Sequence, residues 1–432
     1  MKRGLIVVLA ALLLVPAPAV ARPQNPPASM RLAAIDATGL QRLALADVIS
    51  GSGLRIGSTV TLADIDASVE RLGKTGLFTH VSYRYRYKGT DLFVTFQVQE
   101  ARAETPVLFD NFPWFSDEEI TSAVAKAVPG FTSHISNNAE GIDRIIAALD
   151  QLLRARKLPG RVEYIPYLDT RNGAHAHLFK VTGVSVPICD VTFTGVQSAL
   201  LPQVRDAVAP LLRRDYSRIG STDFLQGTLV PFYRRLGHLR VRLPGITARI
   251  GQAGSTCAGA AVVSVPVDEG AVYWWKGAVW AGARALSARE LDGALGMRSS
   301  EVADGTKIDR GIRAVISAYG RKGYLAARSA AIPQFDDLGH TVVFAIDLTE
   351  GPQFRMGGLT ITGLPSSTAA RLRERWKLKP GDVYDAGYAT DFMSELRKSD
   401  PQLLAELGAM RMSAKQDAAT RTVQVTLAFG GA

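Results

Sequence analysis

The stretch Tyr319-Gly-Arg-Lys-Gly323-Tyr-Leu decides the fold, because it recurs twice in closely similar form. The related stretches are Leu72-Gly-Lys-Thr-Gly76-Leu-Phe and Tyr233-Arg-Arg-Leu-Gly237-His-Leu. In each of them an apolar residue packs the last turn of a predicted helix, and a glycine four residues later stops that helix. A motif that recurs along one chain indicates tandem modules.

The order of predicted elements around this motif is strand, helix, helix, strand, strand. In the first copy the apolar periodicities predict strands and helices over these ranges: 32–37, 45–50, 62–72, 78–87 and 92–98. The same order recurs in four further segments of the chain: 107–183, 186–270, 271–351 and 352–429.

Two more markers support the alignment of the five copies. A residue that tolerates positive φ closes each first strand: Gly39, Asn111, Gly195, Gly282 and Gly363. An acidic residue follows the last strand in three copies: Glu100, Glu269 and Glu350. The copies are therefore expected to share one backbone geometry.

These markers resemble those of POTRA (polypeptide-transport-associated) domains, which precede the barrel in outer-membrane assembly and two-partner secretion proteins. The resemblance implies an α+β fold of five tandem β-α-α-β-β modules, each a three-stranded mixed sheet covered by two helices. The third strand is expected in the centre and the first and second strands at the edges. The expected modules span 31–105, 106–184, 185–270, 271–351 and 352–432.

Family members usually continue into a barrel, for which the residues after the fifth module leave no room. We therefore expect either that another polypeptide supplies the barrel or that the modules act alone.

The N-terminus has the features of a secretory signal. Lys2 and Arg3 precede an apolar run over 5–15, and Ala19-Val20-Ala21 is a small-residue cleavage site. A retained anchor is the alternative, although the run is shorter than the roughly 20 residues that cross a bilayer. We expect a signal peptide at 1–21, a disordered leader at 22–30 and a location in the periplasm, associated with the outer membrane.

Cys189 and Cys257 are the two cysteines of the chain. Both fall in the third copy, and in an exported protein an even pair favours a disulfide. Two buried free thiols or a reactive pair are the alternatives.

No enzymatic motif is present. The sequence has no G-x-S-x-G elbow, no H-E-x-x-H helix and no phosphate-binding loop, so neither catalysis nor a cofactor is expected. His175 and His177 share one strand face, but two ligands do not make a zinc site, and we expect that face to be exposed. Export and the lack of an aromatic platform in a basic groove argue against nucleic acid.

Basic residues crowd the third and fifth copies of a chain whose formal net charge is +10. A solvated face is one interpretation, and contact with an anionic membrane surface or an acidic partner is the other. The candidate basic surface contains Arg213, Arg214, Arg218, Arg234, Arg235, Arg371, Arg373, Arg375, Lys377 and Lys379.

The resemblance also predicts where clients bind. An edge strand exposes unpaired N–H and C=O groups, to which an unfolded outer-membrane or secreted polypeptide can add as a further strand. Two second strands are the expected edges: His238, Leu239, Arg240, Val241, Arg242 and Leu243, and Tyr324, Leu325, Ala326, Ala327, Arg328 and Ser329.

The predicted function is a non-enzymatic polypeptide-binding scaffold that docks to an outer-membrane barrel protein. A structural or interaction protein of the cell envelope, without a role as a client chaperone, is the alternative.

Overall fold

The computed structural model describes residues 28–101, 105–128, 130–135, 139–169 and 173–430, which fall into two compact units divided between Val184 and Ser185. The expected signal peptide and most of the expected leader lie outside the described residues. Met30, which was assigned to the leader, is instead the first residue of a strand, and its side chain is buried.

The fold is α+β, with five mixed sheets along the chain. In every sheet the last long strand is central, parallel to the first strand and antiparallel to the second, as the resemblance predicted. Sheets 1 and 2 have four strands rather than the expected three, because a two-residue strand pairs with the start of the first strand.

The N-terminal unit contains sheets 1 and 2 and four helices. Sheet 1 and its helices comprise β1 (Met30–Thr38), α1 (Leu45–Ser52), β2 (Thr59–Val60), α2 (Leu62–Lys74), β3 (Phe78–Lys88) and β4 (Asp91–Glu100). Sheet 2 and its helices comprise β5 (Thr105–Phe109), α3 (Asp117–Ala127), β6 (His134–Ile135), α4 (Ala139–Ala155), β7 (Arg161–Asp169) and β8 (Ala174–Thr182).

The C-terminal unit contains sheets 3, 4 and 5. Sheet 3 and its helices comprise β9 (Ile188–Thr194), α5 (Leu201–Val208), a 3-10 helix (Ala209–Leu211), α6 (Arg218–Arg235), β10 (Thr247–Ile250) and β11 (Ala261–Pro266). Sheet 4 and its helices comprise β12 (Trp274–Ala281), α7 (Ala288–Leu295), α8 (Gly305–Arg321), β13 (Arg328–Asp336) and β14 (Thr341–Thr349). Sheet 5 and its helices comprise β15 (Arg355–Thr362), α9 (Ser366–Arg375), α10 (Tyr388–Ser399), α11 (Pro401–Leu407), β16 (Met410–Asp417) and β17 (Thr422–Phe429).

Sheet 5 has a third helix that the sequence did not predict. Asp400 accepts a hydrogen bond from the Leu403 N–H, and Pro401 occupies the first helical position, where its missing N–H costs nothing. The Asp400-Pro401 pair therefore ends α10 and starts α11.

The central strands alternate between buried and less buried residues, as expected for a sheet covered on one face. In β14 the buried positions are Val342, Phe344, Ile346 and Leu348. Helix α8 presents Ile308, Val315 and Tyr319 to the same core at helical spacing. Apolar burial thus holds the helices against one face and leaves the other face open.

The residues that close the first strands approach the central strand very closely. Gly39 has a φ of 91°, and a Cβ there would overlap with the carbonyl oxygen of Val98. The same overlap occurs at Gly195, Gly282 and Gly363, whose φ values are also positive. Glycine is needed at these four positions for both backbone conformation and space.

At Asn111 the expected positive φ is wrong, and the end of the first strand is held against the central strand in a different way. It is not among the described residues with positive φ, and its side-chain amide pairs with the backbone of Val181. The Nδ2 group donates to the Val181 carbonyl at 2.8 Å, and Oδ1 accepts from the Val181 N–H at 2.7 Å. The side chain therefore replaces the close backbone contact.

The acidic residue after the central strand binds the loop that follows the first strand. Glu100 Oε1 accepts from the backbone N–H groups of Gln41 at 2.7 Å, Arg42 at 2.9 Å and Leu43 at 2.9 Å. Burial alone would raise the pKa of Glu100, but these hydrogen bonds outweigh it and hold the pKa below its ordinary value.

Glu350 and Glu269 repeat this interaction in sheets 4 and 3. Glu350 accepts from the N–H groups of Arg284 and Ala285, and Glu269 accepts from the N–H of Gln197. The acidic marker is therefore a structural clamp.

Cys189 and Cys257 form the expected disulfide, with their Cα atoms 5.6 Å apart. Cys189 lies in β9, and Cys257 lies in the loop between β10 and β11. The bond ties this loop to the neighbouring first strand of sheet 3.

Gly282→Ala should lower the free energy of unfolding of the C-terminal unit by about 3 kcal/mol, because it adds steric overlap to the cost of a left-handed backbone. Gly296→Ala is the matched control, since Gly296 has nearly the same φ, 74° against 75°, but a Cβ there would come no closer than 4.0 Å to another atom, the Ala294 carbonyl oxygen. The control should cost only about 1 kcal/mol. Urea titrations measure both, and equal losses would show that the close contact does not matter.

Cys189→Ser should destabilise the C-terminal unit by about 4 kcal/mol, since the disulfide closes a loop of 68 residues. Calorimetry of the full chain, with and without reductant, measures this effect. The N-terminal unit contains neither cysteine, so its transition serves as the internal control. A shift of both transitions would contradict the assignment of the effect to sheet 3.

Candidate functional site

The second strand lies at one end of every sheet. These five edge strands are β3, β7, β10, β13 and β16, and each pairs on one side with the central strand. In the described part of the chain no strand pairs with their other side. Their outward backbone groups are therefore available to a further strand.

The opposite edge is covered at its beginning in every sheet. The segment between the two helices pairs with the start of the first strand, as β2 in sheet 1 and β6 in sheet 2. In sheets 3, 4 and 5 the same segment forms single bridges: Pro187 with Asp215, Trp274 with Val302, and Arg355 with Val383. The segment therefore covers only the first residues of the first strand, while the second-strand edge is open along its whole length.

The strand assignment of 238–243 is wrong. The N–H of His238 bonds to the Tyr233 carbonyl at 3.1 Å, and the N–H of Val241 bonds to the His238 carbonyl at 3.3 Å. A left-handed glycine at 237 turns the chain back onto its helix, so the second strand, β10, begins only at Thr247.

The assignment of 324–329 is correct only for Arg328 and Ser329, which begin β13. Tyr324 bonds back to the Tyr319 carbonyl at 3.0 Å, and Ala327 bonds to the Tyr324 carbonyl at 3.3 Å. A turn therefore occupies 324–327, as in the equivalent stretch of the preceding sheet.

This turn has a role that the sequence did not reveal, because it receives the start of the next sheet. The Gly237 carbonyl accepts from the Tyr273 N–H at 3.0 Å, and the Gly323 carbonyl accepts from the Phe354 N–H at 2.8 Å. We refer to these contacts, with the ion pairs beside them, as joint 3/4 and joint 4/5.

Joint 3/4 contains two ion pairs. Arg234 binds both carboxylate oxygens of Asp309 in α8, at 2.9 and 2.8 Å. Arg240, expected on an open edge, binds Asp337 at 3.0 Å and lies over the Phe335 ring, 4.0 Å from its centre. Its side chain therefore holds two sheets together.

Joint 4/5 is built in the same way. Arg321 at the end of α8 binds Asp391 in α10 at 2.6 Å, and the Ala386 N–H donates to the Gly320 carbonyl at 3.1 Å. The hydrogen bond from Arg321 holds the pKa of Asp391 below its ordinary value of 3.8. The basic residues of the recurring motif would be the sequence signal for such joints.

The five edge strands differ in length and in proline content. β7 and β13 have nine residues each and contain Pro166 and Pro333, which lack a backbone donor. β10 has four residues. β3, with 11 residues, and β16, with eight, contain no proline. The longest uninterrupted edge therefore belongs to sheet 1.

Several residues of the candidate basic surface form ion pairs. Arg234 belongs to joint 3/4, while Arg375 lies 2.8 Å and Arg371 3.9 Å from Asp400. Lys377 lies 3.7 Å from Glu395. Arg218 is half-buried, and the other members are exposed: Arg213, Arg214, Arg235, Arg373 and Lys379. Binding of this surface to an anionic membrane stays a prediction.

The expected exposed face at His175 and His177 is wrong for His177, which is 3% exposed. It lies on the same face of β8 as the core residue Phe179, and its Nδ1 is 3.1 Å from the Tyr164 hydroxyl. Burial lowers the pKa of His177.

Among the described residues, no group of three or more His, Cys, Asp or Glu side chains is placed to hold a metal ion. No helix in the described ranges is both long enough and apolar enough to cross a membrane.

Comparison with known proteins gives one family match. Residues 276–351 match the POTRA family model, described as the surface antigen variable number repeat. A "Putative outer membrane protein assembly factor" of Treponema pallidum is 21% identical over 165 residues. The match covers 38% of this chain and 20% of that protein, so the chain spans a small part of its relative's length.

Parts of the chain are also similar to solved structures, among them the following two. POTRA domains 3 to 5 of Haemophilus influenzae BamA match with a TM-score of 0.43 and 16% identity, covering 57% of this chain and 97% of that one. The N-terminal domain of Omp85 from Thermosynechococcus elongatus matches with a TM-score of 0.25 and 14% identity, with the same coverage.

Arg321→Ala should loosen joint 4/5, because it removes the ion pair with Asp391. Exposed pairs contribute little to unfolding free energy, so we expect a loss below about 1 kcal/mol but a broader distance distribution between spin labels on α8 and α10. Arg313→Ala on α8 is the control, since Arg313 is exposed and outside the joint. An unchanged distribution would show that backbone hydrogen bonds alone fix the joint.

The same joint should respond to acid in the unaltered chain. Because the folded-state pKa of Asp391 is lowered, its ion pair stabilises the joint above the ordinary value of 3.8 and is lost as pH falls through the folded pKa. The distribution of distances between the spin labels on α8 and α10 should therefore begin to broaden only below about pH 4. Broadening already between pH 7 and 5 would contradict the role of this carboxylate.

Proposed function

We propose that this chain, whose residues 276–351 match the POTRA family model, is a periplasmic polypeptide-binding scaffold that acts in outer-membrane protein assembly. The family match over 276–351 and the assembly-factor relative support this proposal. The five modules are 31–105, 106–184, 185–270, 271–351 and 352–432, each built on one of the five sheets. The scaffold has no catalytic role or cofactor, and its partners are unfolded polypeptides and an outer-membrane barrel protein.

The observation that carries the proposal is the open second-strand edge in all five sheets. An extended client segment can add there by main-chain hydrogen bonds, which place little demand on its sequence. The first-strand edge is covered at its beginning by the segment between the helices. The second-strand edge is therefore the longer open edge of each sheet that a client can reach.

This arrangement moves the predicted binding edges. In sheet 3 the edge is β10 rather than 238–243, and in sheet 4 it is β13, which retains Arg328 and Ser329 from the original set. Arg240 and Arg242 form ion pairs with Asp337 and Asp268 and serve the scaffold itself.

The alternative function, a structural or interaction protein of the cell envelope that acts as a spacer, is favoured by a different observation. The two joints fix sheets 3, 4 and 5 to one another through backbone hydrogen bonds and ion pairs. A spacer that connects envelope partners needs this rigidity but no client binding. Client cross-linking separates the two functions.

Strand addition should be visible by photo-cross-linking. A photoreactive amino acid in place of Ser413 on β16 should label an unfolded barrel-strand peptide, because it lies on an open edge. The same amino acid in place of Arg313 on α8 is the control, since that residue is equally exposed but lies on a helix. The edge position should give at least five times more cross-linked product.

Equal labelling at both positions would argue against strand addition. Absence of labelling at both positions, with the folded chain confirmed by circular dichroism, would favour the spacer function.

A further inference from the structure

The edge strand β3 is exposed on both faces along its second half. The Tyr83 hydroxyl donates to Asp66 of α2 at 2.9 Å, which ties the middle of the strand to the helix. Beyond Tyr83, residues 84–88 are all exposed. This half of the strand therefore offers side chains on both faces as well as an open backbone edge.

The side chains of this segment divide by charge. Residues paired directly across two strands share a face. Tyr85 and Tyr87 pair with Val94 and Leu92 and lie on the helix-covered face, where they are 40% and 37% exposed. Arg84, Arg86 and Lys88 pair with three residues of the open face: Thr95, Phe93 and Asp91.

The open face has an excess of positive charge. The Arg86 guanidinium lies over the Phe93 ring, 4.6 Å from its centre. Asp91 lies beside Lys88 but binds Arg31 through both oxygens, at 2.9 and 3.1 Å. Within the described residues no ion pair forms at Arg84, Arg86 or Lys88.

Asp36 is the other acid of this face. It pairs with Thr95 on the side opposite Arg84, so one strand separates Asp36 from Arg84. Three cations at alternate positions of the edge strand therefore face solvent with little local compensation.

We propose that β3 selects extended polypeptide segments that carry acidic side chains at every second position. A strand added at β3 places alternate side chains beside the three cations, and its remaining side chains beside Tyr85 and Tyr87. Opposite charges across neighbouring strands stabilise the pair, and apolar side chains pack on the tyrosine rings. This inference rests on the proposed function, since it specifies which clients one edge accepts.

The other edges lack this combination of features. Pro166 and Pro333 interrupt β7 and β13, and β10 has only four residues. The open face of β16 has two cations, Arg411 and Lys415, and ends in Asp417. The open face of β16 therefore has less excess positive charge than that of β3.

The test uses three labelled 11-residue peptides and fluorescence anisotropy with the full chain. The first alternates Glu with Val, the second has Gln in place of Glu, and the third has the composition of the first with its glutamates in one block. We expect the first to bind about tenfold more tightly than the other two, with an advantage that shrinks as salt is added.

Two double variants locate the effect. Arg84→Glu with Arg86→Glu should weaken binding of the Glu-Val peptide about tenfold and favour a Lys-Val peptide instead. Arg310→Glu with Arg313→Glu makes the same charge change on helix α8, where both residues are exposed and belong to no edge strand, and should leave both affinities unchanged. Circular dichroism confirms that both variants fold.

Each contrary result has one meaning. Equal binding of the Glu and Gln peptides would overturn charge selection at β3 while strand addition itself stands. If none of the peptides binds, the proposed function fails together with this inference. If the β3 variant loses binding to phosphatidylglycerol vesicles while peptide affinity is unchanged, the cations serve a lipid surface and the inference is wrong.

Discussion

The close approach between the end of the first strand and the central strand determines how each sheet is arranged. At Gly39, Gly195, Gly282 and Gly363 the backbone lies against a carbonyl of the last strand with no space for a side chain. This contact fixes the first strand parallel to the last and places the last strand in the centre. The second strand can then pair only with the other side of the central strand, where it becomes an edge of the sheet.

The glutamate clamp acts at the same place. Glu100 follows the central strand, and its carboxylate gathers the N–H groups of the loop that leaves the first strand. One carboxylate that accepts from three consecutive N–H groups holds this loop against the end of the central strand. Asn111 shows that the fold requires a link between the end of the first strand and the central strand, but not glycine itself. In sheet 2 the Asn111 amide makes this link with two hydrogen bonds to Val181, whereas in the other sheets a glycine lies directly against the central strand.

The sequence was sufficient to predict the order of elements and the disulfide, because these depend on local periodicity, on the recurring glycine motif and on the number of cysteines. The central position of the last strand was predicted by the resemblance to POTRA domains and not by the sequence pattern itself. It was insufficient at 238–243 and 324–327. An alternating or apolar stretch after a helix-stopping glycine predicts a strand, but the left-handed glycine first sends the chain back along its helix. The local pattern does not distinguish a strand that starts two residues after the glycine, as at Phe78, from one that starts after a turn, as before Thr247. In sheets 3 and 4 the glycine carbonyls of these turns bond to the next sheet, which is a long-range contact. The burial of His177 was missed for a similar reason, because the face of a strand depends on register.

The joints and the edges depend on each other. In sheets 3 and 4 the residues after the helix-stopping glycine receive the following sheet, so they cannot also pair as an edge, and the edge begins farther along the chain. In sheet 1 the strand begins two residues after Gly76 and extends for 11 residues, with no turn between. In sheets 3 and 4 the open edge therefore begins farther from its helix than in sheet 1. The repeats share one fold but cannot offer equal binding surfaces, and the strand that begins closest to its helix has the most backbone to offer.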